Sequence, residues 1–90
     1  MIEPTVGRVV WFYSSKDRET PQAAIIARVH GPQMVNLMVI EPDGTTRGQP
    51  SVQLLQDDDK PQGAAFWCAW MPYQIGQAAK YEAAVAAVKA

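Results

Sequence analysis

Proline and glycine divide this chain into two unequal parts. All seven prolines and five of the six glycines lie at or before Pro72; after it only Gly76 interrupts a run rich in Ala, Glu, Lys and Gln. Proline removes a backbone donor and glycine is costly in a helix interior, so a long helix does not fit the first part. One does fit the second, and Pro72 suits its first turn. Between the breakers lie short runs rich in β-branched and aromatic residues: Thr5–Tyr13, Ala23–His30, Met34–Glu41, Ser51–Gln56 and Ala64–Trp70. Each reads as a strand. Ser14–Gln22 and Asp57–Gly63 read as polar loops, and Gly31-Pro32 as a tight turn. Pro42-Asp43-Gly44 is a hairpin signal: proline presets φ, aspartate caps its own backbone, and glycine takes a positive φ.

Alternation assigns faces. In the third run Val35, Leu37 and Val39 share one side, the expected core side, against Asn36, Met38 and Ile40. In the second, Ile25, Ala27 and Val29 are expected inside, with Ala24, Ile26, Arg28 and His30 outside. In the last, Phe66, Cys68 and Trp70 oppose Trp67 and Ala69, so both faces of that strand carry aromatic surface that needs cover. Five short strands, a long first loop, a short second one, a tight hairpin and a terminal helix predict a mainly β protein. The expected form is a five-stranded small β-barrel over residues 1–72, with a C-terminal α-helix over 73–90. The SH3-like order of loops fits best, with an OB-like barrel as the alternative closure. The helix is expected to pack on the barrel or on a second subunit.

Charge narrows the function classes. The net charge is −1, and the eight Lys and Arg are scattered singly, which argues against duplex nucleic acid as a partner. A single cysteine excludes an internal disulfide and a multi-cysteine zinc site. No apolar run approaches the ~20 residues of a membrane-spanning helix. The first ten residues carry an early glutamate and no basic stretch, unlike a secretory signal. Charged residues make up 19% of the chain, below the roughly 25% usual for globular domains. In so small a domain that shortfall predicts apolar surface left for a partner, most simply another copy, so a homo-oligomer is expected.

Several segments, taken together, resemble a known group. PTVGRVV at Pro4–Val10, AAII at Ala23–Ile26, VNL at Val35–Leu37, PDG at Pro42–Gly44, SV at Ser51-Val52 and Trp-Met-Pro at Trp70–Pro72 follow in this order. The set resembles short proteins encoded in tailed-phage and prophage genomes, over most of the chain up to Lys80. That resemblance brings no catalytic or binding residues with it. It implies a setting, the bacterial host cytoplasm or the virion.

No catalytic motif stands out. His30 is the sole histidine, no nucleophile elbow is present, and Cys68 sits in an aromatic strand where a small buried hydrophobe is the ordinary reading. Asp57-Asp58-Asp59 lacks the alternating carboxylate spacing of a calcium loop. No metal or cofactor is expected. For binding, Arg8, Arg28 and Asn36 fall on proposed outer strand faces, and with Trp70 as a stacking wall they form the candidate ligand or partner surface. Trp67, with Tyr81, Val85 and Val88 at helical spacing, forms the candidate oligomer interface. The expected function is a non-catalytic binding module that engages a host molecule, by masking a protein or sequestering a signalling nucleotide. A structural virion or assembly component and a single-stranded nucleic-acid binder are the alternatives.

Overall fold

The computed structural model describes residues 1–14, 17–57, 59–61 and 65–89. Five strands, β1 (Val9–Ser14), β2 (Asp17–Gly31), β3 (Met34–Ile40), β4 (Thr46–Leu55) and β5 (Phe66–Ala69), precede one helix, α1 (Pro72–Lys89). The strands close into a barrel in sequential order. β5 closes it, pairing antiparallel with β1 (Phe12 opposite Cys68) and parallel with the end of β4 (Leu54 opposite Cys68). The expected small barrel with a C-terminal helix is therefore the observed fold. Its strands are neighbours in chain order, unlike the Greek-key order of an OB barrel.

The core follows the alternation in β1, β3 and β5. Val10 and Phe12, then Val35, Leu37 and Val39, then Cys68 and Trp70 are buried together with Val52 and Leu54, and Phe66 packs against them. β2 departs from expectation. Its buried residues are Ala24 and Ile26, while Ala27 is exposed and Ile25 half-buried on the outer face. Both faces of this segment are apolar, so alternation alone does not choose between them. The neighbours choose: Ala24 lies opposite the inward Val10 and Val39, and Ile25 opposite the outward Val9 and Met38. The register then shifts between Ile26 and Arg28. Such a bulge lets Val29 turn back to pack against the core.

The expected polar loop Ser14–Gln22 is also different. Most of it continues β2, and Asp17 pairs with Ser14. Glu19 and Thr20 are exposed, so polar composition is no bar to strand there. Pro21 falls within the irregular stretch of the pairing, where a missing N–H costs no regular ladder bond. Likewise β4 starts at Thr46, ahead of the strand expected from Ser51. A register shift opposite Asn36 places Ser51 at φ 54°. Asn36 Oδ1 accepts the Ser51 N–H at 2.9 Å, supplying the bond that the bulge removes from the ladder. The hairpin signal holds: Gly44 has φ 92°, and Asp43 Oδ1 accepts from both the N–H (2.9 Å) and the hydroxyl (2.7 Å) of Thr45.

One buried side chain fastens the ends of the barrel together. Gln56, 3% exposed, follows β4. Its Nε2 donates to the carbonyls of Ile2 (2.6 Å) and Pro32 (3.0 Å), and its Oε1 accepts from Ile2 N–H (3.2 Å) and Trp70 Nε1–H (3.0 Å). The helix is fixed at its start. Gln74 Oε1 accepts from Met71 N–H (2.8 Å), the return bond of a capping box, while Gln74 Nε2 donates to the Val9 carbonyl (2.7 Å). An 18-residue helix spans roughly 27 Å, and its length accords with an overall long dimension of 47 Å against 26 and 24 Å.

Candidate binding surfaces

The sequence-predicted ligand surface is only partly assembled. Arg28 lies opposite Asn36 across β2 and β3, both outside the core, and His30 Nε2 donates to Asn36 Oδ1 at 2.9 Å. Arg8 is exposed just before β1, where its carbonyl accepts from Ile26 N–H. Trp70 does not belong with them. It is 5% exposed and part of the core cluster, held there by its bond to Gln56, so it is no stacking wall. Asn36 spends its carbonyl oxygen on Ser51 and His30. Arg8 and Arg28 remain exposed on that surface without Trp70 beside them.

The interface residues are redistributed as well. Trp67 is 7% exposed, because its ring stacks on Tyr13 across the β1–β5 ladder, with centroids 5.7 Å apart and planes at 14°. The outward aromatic surface of β5 is therefore covered within the chain and does not await a partner. Tyr81 is 71% exposed and Val85 half-buried, while the Val88 side chain lies outside the described residues. A different helix face, with Ile75, Ala78 and Ala79, turns toward the barrel.

With Ala23, Ile25 and Ala27 outward, the outer face of β1, β2 and β3 becomes apolar. Val9, Ile25 and Met38 form one cross-strand row, with Val9 and Met38 each 38% exposed; Trp11 and Ile40 flank it, half-buried. No charged side chain interrupts that row.

Concave features also open among the described residues. A cleft of about 480 Å³ opens beside Phe12 and Phe66, whose ring centroids are 6.0 Å apart. A chain of polar side chains crosses it. Gln22 Nε2 donates to Glu41 Oε2 (2.7 Å), Arg47 Nε to Glu41 Oε1 (2.5 Å), and Arg47 Nη1 to Gln49 Oε1 (2.8 Å). The Arg47 guanidinium also sits 5.3 Å over the Phe12 ring. The Arg47 hydrogen bond, then that of Gln22, holds the Glu41 carboxyl below its ordinary range. These groups satisfy one another and neutralise the arginine, so the cleft reads as a brace across β2, β3 and β4.

The second feature is a groove of about 360 Å³ between α1 and the barrel. Ile2, Leu55 and Trp70 line it from the barrel, and Ile75 and Ala78 from the helix. Ile75 is nonetheless 54% exposed. Carboxylates stand along the groove: Asp57 and Asp59 after β4, and Glu82 on the helix. No Lys or Arg is among its described lining residues. Alternation along strands did not reveal it. The available signal was helical: Ile75, Ala78, Ala79 and Glu82 recur at the three- and four-residue spacing of one face.

Catalysis finds no support in the nucleophile that the sequence offers. Cys68 is fully buried, and burial pushes its thiol from 9.0 up to about 12. Native protein at mildly alkaline pH is expected to leave a disulfide reagent such as DTNB unreacted until denaturant is added. Because the unfolded thiol ionises first, stability is expected to fall as pH climbs above about 9 toward 12. Prompt native labelling would show that β5 opens easily. Among the described residues no group of three or more His, Cys, Asp or Glu is placed to hold a metal ion, and no helix is long and apolar enough to cross a membrane. No protein-family model, curated protein or solved structure matches the chain.

Proposed function

We propose that this chain is a non-catalytic binding module of the tailed-phage and prophage kind, which masks a host protein in the bacterial cytoplasm. The observation that carries the reading is the groove between α1 and the barrel, an apolar recess with Ile75 half-exposed at its wall. Concave, mostly apolar sites with a few polar groups are where binding concentrates. The charge distribution favours masking a protein over sequestering a nucleotide. A phosphate entering the groove would meet carboxylates, and the arginine of the other cleft is already engaged by Glu41.

The test is affinity capture from a bacterial lysate with wild type, Ile75→Glu and Arg28→Ala, alongside native mass spectrometry of the purified protein. Expected is a specific protein lost by Ile75→Glu and kept by Arg28→Ala, all three melting at nearly the same temperature. A nucleotide carried through purification, or capture that survives Ile75→Glu and disappears with Arg28→Ala, would overturn the reading.

Self-association belongs to the same proposal. The uncharged Val9–Ile25–Met38 row, flanked by Trp11 and Ile40, suits the flat apolar centre of a contact between copies. Light scattering at micromolar concentration is expected to give a mass above the 9.9 kDa monomer, and Met38→Lys to return it to the monomer. A monomeric wild type removes this element and leaves the groove untouched.

A further inference from the structure

We infer that the groove between α1 and the barrel seats a short amphipathic segment of its partner, apolar on one side and flanked by lysines or arginines. This rests on the protein-masking role just proposed and names the chemistry that the role requires. The groove is apolar along its floor and acidic along its length. Asp57 and Asp59 stand on the barrel side and Glu82 on the helix side, so a bound segment passes between carboxylates. Among the described lining residues the cation that meets Asp57, Asp59 and Glu82 is the Met1 amine, 3.1 Å from Asp57 Oδ1. Asp59 accepts from the side chain of Gln33 and the backbone of Gln56, which fixes its position and leaves its charge.

Charge decides between occupants. A second copy docked here about a two-fold axis would bring one acidic rim against the other, and like charges across an interface oppose association. Nucleic acid and anionic membrane are disfavoured by the same sign. A basic amphipathic segment meets both halves of the site: aliphatic side chains enter beside Trp70 and Ile75, while cations reach the rim. A volume of about 360 Å³ accommodates side chains and leaves the segment's backbone above the opening. The apolar seating supplies most of the affinity. The rim supplies sign selectivity and faster, salt-dependent association.

The probes are labelled synthetic amphipathic peptides of one helical pattern with leucines on one face and lysine, glutamine or glutamate on the other, followed by fluorescence anisotropy. The lysine peptide is expected to bind at least about tenfold more tightly than the glutamine peptide, the glutamate peptide least, with the preference shrinking as salt is raised. Ile75→Glu is the decisive variant. It adds a negative charge, so attraction to an acidic surface alone predicts tighter binding of the lysine peptide; seating in the groove predicts a loss of about tenfold or more. Glu82→Gln is expected to weaken the lysine peptide and flatten its salt dependence, and Glu19→Gln, the same charge change at an exposed position of β2 outside the groove lining, to leave both unchanged. If the glutamine peptide binds as well as the lysine peptide and Ile75→Glu abolishes both, the basic preference is wrong and the groove remains the docking site. If no peptide binds, or Ile75→Glu binds the lysine peptide as tightly as wild type, the inference and the docking role of the groove both fall.

Discussion

Replacing Gln56 with leucine is expected to cost about 3 kcal/mol of stability, read as a shift in the urea midpoint at unchanged slope. Leucine has a similar size, so the packing change is small and the loss is polar. Four hydrogen bonds disappear at once, to both backbone groups of Ile2, to the Pro32 carbonyl and to the Trp70 indole. The indole N–H belongs to a ring 5% exposed, and a buried donor left without a partner costs about 1–3 kcal/mol by itself. The backbone groups lie nearer water and recover part of theirs. In a domain of this size 3 kcal/mol corresponds to roughly 12–24 °C in melting temperature. A loss below about 1 kcal/mol would mean that water replaces the side chain without penalty, and that Gln56 does not brace the fold. Gln56→Glu adds a pH signature. A carboxylate still accepts from Trp70 and Ile2 but has nothing to donate to the two carbonyls, and burial opposes its charge. Its folded pKa is therefore raised above the ordinary ~4.3, and the unfolded chain ionises first. Stability of this variant is expected to fall as pH rises from about 4.3, and to recover in acid, where the protonated group regains a donor.

The Gln56 bonds join residues far apart in sequence, and that separation marks the limit of what the chain reveals when read alone. Strand periods, turn chemistry and the Pro72 boundary are local, and they give the barrel, the Asp43-Gly44 hairpin and the helix start. In β3 one face is apolar and the other mixed, so Val35, Leu37 and Val39 declare themselves as core. In β2 both faces are apolar, and pairing with Val10 and Val39 decides. That single parity has a large consequence for the surface. Placing Ile25 and Ala27 inside makes the outer sheet face look polar, with Arg28 and His30 prominent. Placing them outside makes it an apolar row that ends at Arg28. Asn36 was legible as an outward polar residue, yet its role as the acceptor for Ser51 depends on a bulge in another strand. Trp67 and Trp70 were legible as aromatic surface on two faces of β5. That Tyr13 covers the first and Gln56 fixes the second follows only from the closure of the barrel. On the helix, alanine is small enough to face either solvent or the barrel, so the stripe through Tyr81 and Val85 and the face through Ile75 and Glu82 compete on equal terms until the Gln74 bond to Val9 sets the rotation.

Trp70→Ala is expected to be the most damaging single change at the C-terminal side of the barrel, about 3–5 kcal/mol and close to the whole stability of a domain this small. The ring is both part of the core cluster and a wall of the groove, so its loss opens a cavity where the helix begins. Trp70→Phe separates the two contributions. It keeps most of the aromatic burial and deletes the Nε1 donor, which leaves Gln56 Oε1 with Ile2 N–H as its remaining partner. A loss of about 1–2 kcal/mol is expected. The Gln56→Leu and Trp70→Phe changes act on one bond, so their losses should not add: in the double variant the indole and the amide are both gone, and neither leaves the other orphaned. A coupling energy of about 1 kcal/mol or more is expected from the four-variant cycle. Simple additivity would show that the two side chains stabilise the fold independently, in which case the helix is anchored by Gln74 and the packing of Trp70 alone. Coupling at the expected size would tie the barrel's closing residue to the first turn after β5, and so make the position of the groove wall depend on a single amide.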